Sequence, residues 1–165
     1  MAWGAFSALG KSSLAVMVGK QDSAKYVEVL QSYLMPFADA HIGTRWIFQQ
    51  DNAAIHRSRL TMEWLNEKQV RVMGWPARSP DLNPIENLWG ILAMEVYENG
   101  RQFNSVSQLR DCVMQCWEDI GRGTLNKLIN SMHKRCEETL RKRGGITKYY
   151  CRLKILQLMK NLNFY

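Results

Sequence analysis

Residues 75–90 read WPARSPDLNPIENLWG, a proline-rich loop that runs into the start of a helix. Three prolines among the first ten residues are typical of a loop, since proline lacks the backbone N–H that helices and central strands need. Asn83 is a favourable N-cap residue, and Pro84 suits the first helical position because its φ is already helical. The pattern predicts a helix from Pro84 to about residue 97, ended by the Asn-Gly pair at 99–100.

Short apolar runs and helical patterns alternate on both sides of this segment. The predicted elements are a hairpin formed by 2–8 and 12–18, a helix over 24–35 ended by Pro36, a strand over 45–50 buried on both faces, a helix over 55–68 with Leu60, Trp64 and Leu65 facing inward, a strand over 70–73, and helices over 84–97, 105–119 and 124–143. Gly144 and Gly145 end the last helix, and a basic tail, residues 146–165, follows. Strands mixed with helices, and then helices alone, predict an α/β core with a helical C-terminal part.

The composition is that of one ordinary globular domain. The 165 residues are 46% hydrophobic and 22% charged, which excludes a disordered or collagen-like chain. No run approaches the roughly 18 apolar residues of a membrane span, and no basic stretch precedes an apolar run as in a secretory signal. The four cysteines lack disulfide-framework spacing, so we interpret them as reduced thiols. A zinc site that includes Cys112 and Cys116 is a weaker alternative, because the paired-knuckle spacing is missing.

Positive charge is concentrated towards the C-terminus. Residues 122–165 contain eleven Lys and Arg against two Glu, whereas residues 1–121 contain eleven basic and thirteen acidic side chains. This imbalance is typical of a protein that binds a polyanion, and a solvated helix face is the alternative interpretation. An anionic membrane surface fits less well, because the basic region lacks a clean apolar face. The candidate nucleic-acid-binding residues are Arg135, Arg141, Lys142, Arg143 and Lys148.

Two carboxylates stand at positions suited to metal chemistry. Asp51 follows the strand over 45–50, and the carboxyl ends of strands are where open α/β sheets bind ligands. Glu86 lies in the first turn of the helix that begins at Pro84. Facing carboxylates can hold divalent cations such as Mg²⁺, and two such ions about 3.5–4 Å apart would stabilise the attacking and leaving oxygens of a phosphoryl displacement.

Each of these residues also has a structural interpretation. Glu86 lies three positions after Asn83, where a glutamate can accept a hydrogen bond from the N-cap amide. Asp51 with Asn52 could cap the following helix, and His56 could be a helix residue hydrogen-bonded to solvent. Spacing alone favours these structural roles, because isolated acids rarely mark functional sites.

The amino-acid sequences of two segments favour a functional role for Asp51 and Glu86. Residues 49–56, QQDNAAIH, and residues 75–90 closely resemble the catalytic-domain signatures of Tc1-like transposases of the Tc1/mariner superfamily. The 34 residues between Asp51 and Glu86 match the spacing of that family's second and third catalytic acids. The resemblance extends from residue 3 to about residue 145, nearly the whole chain.

The resemblance implies an RNase H-like fold over residues 1–145, an α/β mixed sheet flanked by helices, with an Asp–Asp–Glu triad that binds two Mg²⁺ or Mn²⁺ ions. On this sequence the second acid would be Asp51 and the third Glu86, while His56 matches a recurrent family histidine whose role stays open. In that family the site uses water to cut transposon ends, and the freed 3′-hydroxyl then attacks target DNA. DNA is the implied partner and the nucleus of a eukaryotic cell the implied location, with no membrane involved; a homo-oligomer is an open alternative.

The chain departs from the family pattern at its start. In relatives the first catalytic Asp lies on the central strand that precedes a Trp-Gly segment, and this chain begins just before Trp3. We therefore expect the first strand and the first Asp to be absent, and two-metal chemistry to be impaired. Two alternatives follow: an impaired enzyme of DNA cleavage and strand transfer, or a non-catalytic transposon-derived protein that binds DNA.

Overall fold

A computed structural model describes residues 1–77 and 79–149 of the chain. In chain order these residues form β1 (Ala2–Trp3), β2 (Phe6–Ser7), β3 (Gly10–Lys11), β4 (Ala15–Val16), α1 (Ser23–Val29), a π-helical turn (Leu30–Leu34), α2 (Met35–His41), β5 (Ile47–Phe48), α3 (Arg59–Glu67), β6 (Arg71–Val72), a 3₁₀ turn (Pro80–Leu82), α4 (Pro84–Val96), a second 3₁₀ turn (Glu98–Gly100), α5 (Val106–Asp119) and α6 (Arg122–Arg141). They divide into two compact units, an N-terminal unit of residues 2–5 and 11–77 and a C-terminal unit of residues 1, 6–10 and 79–149.

The strands of the described residues pair in twos. β1 and β4 are antiparallel, with Ala2 opposite Val16. β2 and β3, which lie between them in sequence, pair with each other. The predicted hairpin is therefore confirmed. β5 and β6 are parallel, with Ile47 opposite Arg71, and a parallel pair needs a crossover such as α3 between its strands. The sheet structure is therefore mixed, as predicted.

The core of the N-terminal unit forms around one helical face. Tyr26, Leu30 and Leu34 recur at four-residue spacing, which places them on the same side of the α1 and π-helical segment. They pack with Phe48 of β5 and with Leu65 of α3, which is 1% exposed. The apolar face buried in this way fixes the end of β5, where Asp51 follows.

Pro36 does not end the first helix, contrary to the prediction. The chain passes through a π-helical turn in which the Met35 N–H donates to the Leu30 carbonyl, five residues earlier, and continues as α2 to His41. Pro36 lies in the first turn of α2, where a missing N–H costs little, and the wider turn absorbs the irregularity.

Two further predictions about the N-terminal unit are wrong in detail. The strand before Asp51 is buried on one face only, since Ile47 is 46% exposed while Phe48 is buried. The next helix begins at Arg59 rather than near residue 55, and Leu60 is 48% exposed. Thr61 occupies the interior position instead, because its hydroxyl is paired with a carbonyl of the preceding turn.

The helical C-terminal part is confirmed with nearly the predicted bounds. On α4, Leu88 and Leu92 are fully buried at four-residue spacing, and Trp117 of α5 stacks on Trp89 with ring centroids 5.3 Å apart. After α4 the chain turns at Asn99, whose φ of 55° is left-handed, as an Asn-Gly stop requires. None of the described helices has the length and hydropathy that crossing a membrane demands.

Candidate functional site

Asp51 lies three residues after the end of β5 and presents a half-exposed carboxylate. Its Oδ1 atom accepts a hydrogen bond from the Ala53 N–H at 2.9 Å and lies 2.6 Å from His56 Nδ1. Among residues 1–77 and 79–149, no group donates to Oδ2, and the side chain is 54% exposed. One oxygen is therefore held in place, and the other has no donor among these residues in a side chain that is half exposed.

A buried pair of side chains holds His56 in position. The His56 ring packs against the ring of Tyr26 at a tilt of 30°, with centroids 4.3 Å apart. The Tyr26 hydroxyl donates to Gln50 Oε1 at 2.8 Å, and Gln50 Nε2 donates to the His56 carbonyl at 3.3 Å. Tyr26 and Gln50 are only 5% and 8% exposed, so a contact in the core orients the histidine that meets Asp51.

The surroundings set the protonation states of this group. The hydrogen bond from His56 lowers the pKa of Asp51, the Ala53 N–H acts in the same direction, and partial burial opposes both. Asp51 is therefore ionised at neutral pH. Burial raises the pKa of Tyr26, so its hydroxyl stays a hydrogen-bond donor.

Sequence reasoning gave no role in the site to Tyr26, Gln50 or Asn52, and considered Asn52 only as a helix cap. Asn52 Nδ2 donates to the Trp75 carbonyl at 2.9 Å and so ties the end of β5 to the start of the proline-rich loop. Gln50 could have been noticed, because it ends a strand that was predicted to be buried, and a buried amide needs a hydrogen-bond partner. No neighbouring residue in the sequence indicates a role for Tyr26, which lies 24 residues before Gln50.

Glu86 lies in the first turn of α4 and is partly buried. Its N–H donates to the Asn83 carbonyl at 3.1 Å, and Asn83 has the extended backbone of an N-cap, as predicted. The Asn83 side chain, however, makes no capping hydrogen bond within the described residues. The residue after Glu86, Asn87, donates through Nδ2 to the Tyr149 carbonyl at 3.2 Å.

The two predicted acids lie in different units, Asp51 in the N-terminal and Glu86 in the C-terminal one. Across the described part of the chain, no three His, Cys, Asp or Glu side chains come together as a metal site would need. Cys112 and Cys116 are free thiols with sulfurs 3.9 Å apart. The carboxylates of Asp51 and Glu86 nevertheless supply the oxygen donors that Mg²⁺ and Mn²⁺ prefer.

Of the candidate DNA contacts, four lie at the surface where α6 ends. Arg141, Arg143 and Lys148 are exposed. Lys142 is also at the surface, where its Nζ lies 2.9 Å from Glu138 Oε1 and donates to the Ile146 carbonyl at 2.8 Å. The exposed positions of the two arginines leave their guanidinium groups open to a phosphate.

Arg135, by contrast, is buried, with 1% of its surface exposed. Its Nη1 donates to the Asp81 carbonyl at 2.7 Å, its Nε donates to Ser131 Oγ at 2.8 Å, and its guanidinium lies over the Tyr149 ring. This burial removes Arg135 from the side chains that can reach DNA. The charge pattern of the sequence could not show it, because an arginine on a basic helix is usually solvated.

The chain matches the family model described as "DDE superfamily endonuclease" over residues 1–110. It is 38% identical over 149 residues to the transposable element Tc3 transposase of Caenorhabditis elegans, a match that covers 90% of this chain and 45% of that protein. It is 34% identical to the Tcb1 transposase of Caenorhabditis briggsae, a match that covers 90% of this chain and 54% of that protein. The chain thus spans about half the length of the curated relatives it matches.

Solved structures show a shared fold. The catalytic domain of Mos1 mariner transposase matches with a TM-score of 0.70 at 20% identity, over 87% of this chain and 73% of that one. A structure of the Mos1 catalytic domain and raltegravir with Mg matches with a TM-score of 0.71 at 19% identity, over 87% and 74%. The predicted RNase H-like fold is confirmed.

Proposed function

Because the chain belongs to the DDE superfamily endonucleases, with Tc1-like transposases as relatives, we propose that it forms the DNA-cleaving and strand-transferring part of a transposase. Asp51 and Glu86 are proposed as the second and third acids of the triad. The match to transposase sequences also supports DNA as the partner and, in a eukaryotic host, the nucleus as the location.

The arrangement around Asp51 supports this proposal best. A carboxylate kept ionised by His56, with one oxygen held and the other open, is suited to bind a hard cation. Glu86 would supply a second carboxylate from the first turn of α4. When bound, Mg²⁺ or Mn²⁺ would stabilise the charge that develops on oxygens during phosphoryl transfer.

The proposal assigns two acids of the triad, Asp51 and Glu86, and leaves the first acid unassigned. We therefore propose that a polypeptide of these residues cleaves DNA slowly. The alternative, a protein that binds DNA without cutting it, is supported by the exposed arginines Arg141 and Arg143.

Nicking of supercoiled plasmid DNA in Mg²⁺ tests the proposal. Glu86→Gln should lower the nicking rate by about 100-fold or more, because losing a metal ligand removes several kcal/mol of transition-state stabilisation. Glu95→Gln is the matched control, since it makes the same change at an exposed position of the same helix.

Equal nicking by the wild type and Glu86→Gln would contradict the assignment of Glu86. No nicking by the wild type, with DNA binding retained, would favour the non-catalytic alternative.

A further inference from the structure

Residues 146–149 form a short segment after α6. This segment contacts the chain both before and after the start of α4. The buried Thr147 donates its N–H to Asp81 Oδ2 at 2.9 Å, and Asp81 lies in the 3₁₀ turn that leads into α4. At the other side, the Tyr149 carbonyl accepts the hydrogen bond from Asn87. The segment thus holds the chain before and after Glu86.

Arg135 joins this segment to the same turn. Its guanidinium donates to the Asp81 carbonyl and lies 4.3 Å from the centre of the Tyr149 ring. A buried guanidinium is costly unless its donors are paired, so these contacts must form together for the residue to be buried at all. Arg135 therefore links α6, the 3₁₀ turn and the 146–149 segment in one network.

Backbone hydrogen bonds shape the turn that leads into α4. The 3₁₀ turn is closed by the Asn83 N–H to Pro80 carbonyl bond at 3.0 Å and by a longer one from the Leu82 N–H to the Ser79 carbonyl at 3.3 Å. Asn83 caps the helix through its backbone and not through its side chain, as far as the described residues show. The contacts of Arg135 and Thr147 with Asp81 add restraints on this turn from α6 and from the 146–149 segment.

We propose that Arg135, Asp81 and the 146–149 segment position Glu86 for metal binding by locking the first turn of α4. The proposal rests on the function proposed above for Glu86. It gives Arg135 the task of a positioning residue that acts through Asp81 and never touches DNA.

The test is Arg135→Met against Lys134→Met, which removes the same charge from the preceding, exposed residue of α6. Hydrogen exchange followed by mass spectrometry should show amides of residues 79–88 exchanging about tenfold faster in Arg135→Met, with α5 unchanged. Arg135→Lys should restore only part of the protection, because lysine keeps the charge and loses the planar fork of donors. Unchanged exchange at 79–88, or an equal rise in α5, would overturn the proposal.

Nicking kinetics supply the readout that a purely structural role would not move. At a temperature where Arg135→Met is folded, the rate at saturating DNA should fall about tenfold and the Mg²⁺ concentration for half-maximal rate should rise, with DNA affinity unchanged. Asp81→Ala, which keeps the Arg135 bond to the backbone carbonyl, should give the same change with a milder effect on folding. A reduced rate that follows DNA affinity instead would overturn the proposal.

The two proposals fail in different ways. If the wild type does not nick DNA, the function proposed for Glu86 fails, and the exchange of residues 79–88 still decides whether Arg135 orders this turn.

Discussion

At the scale of single residues, Asp51 shows how contacts in the core can fix the orientation of a carboxylate at the surface. Its Oδ1 is restrained by two donors, while His56 is itself restrained by Tyr26 and Gln50. The motif QQDNAAIH placed Asp51 and His56 as candidates. Gln50, which supports His56, accepts a hydrogen bond from Tyr26, and no local sequence pattern connects these two residues.

The pH dependence of stability tests the Asp51–His56 contact. The pKa of Asp51 is lower in the fold than in the unfolded chain, so its ionised form stabilises the fold above about pH 4, and the contribution is lost as pH falls through the folded-state pKa. The difference in unfolding free energy between the wild type and Asp51→Asn should therefore shrink on acidification. Its size should stay below about 1 kcal/mol, because the side chain is half exposed.

Urea unfolding at several pH values measures this difference. In a His56→Ala background, Asp51→Asn should have a smaller and less pH-dependent effect, since the main donor is gone. A difference that does not shrink below about pH 4 would show that the fold does not stabilise the ionised Asp51 carboxylate.

At the scale of elements, caps decided where helices begin and packing decided how far they run. Ser58 caps α3 by accepting from the Thr61 N–H at 3.2 Å, and it also donates to the Thr61 hydroxyl at 3.0 Å. The first helix, by contrast, passes Pro36 because Leu30 and Leu34 keep their buried face across the π-helical turn. A proline rule applied to sequence alone could not anticipate that compensation.

Removing the Ser58 cap should destabilise the protein in a characteristic way. Ser58→Ala should cost about 1 kcal/mol of unfolding free energy, whereas Ser58→Gly should cost only a few tenths, because glycine tolerates the N-cap backbone and leaves its amides open to water. Urea unfolding of the two variants measures both values. A larger decrease for glycine than for alanine would mean that backbone freedom, and not the hydroxyl, governs this helix start.

At the scale of the whole molecule, charge is distributed unevenly. Residues 122–165 contain eleven basic side chains and two acidic ones, and the described part of this region exposes Arg141 and Arg143 where α6 ends. The burial of Arg135 lowers the number of charges available to a phosphate backbone. Net charge read from the sequence therefore overestimates the basic surface.

DNA affinity should depend on salt through these exposed charges. The double variant Arg141→Gln and Arg143→Gln should flatten the slope of log affinity against log salt concentration by up to about 2, because each phosphate that is no longer neutralised lowers the slope by about 0.9. The paired control, Lys20→Gln and Lys68→Gln, changes exposed lysines of the N-terminal unit and should leave the slope unchanged. Fluorescence anisotropy with duplex DNA measures the slopes, and a wild-type affinity insensitive to salt would contradict the proposed binding to phosphates.

Helix caps, proline positions and apolar spacing act over a few residues, which is why the hairpin, α4, α5 and α6 were predictable from the sequence. The motif around Glu86 is also a continuous stretch of sequence, so its resemblance to a family could be recognised without the structure. The one-sided burial of β5, the continuation past Pro36 and the support of His56 by Tyr26 depended on contacts between distant segments. Arg135 shows most directly the difference between local sequence information and long-range contacts. Its charge is known from the sequence, but its burial results from contacts with Asp81 and Tyr149, which only folding brings close to it. A side chain's neighbours across the fold set its dielectric surroundings and its partners, and these decide whether a charge faces DNA or holds a turn in place.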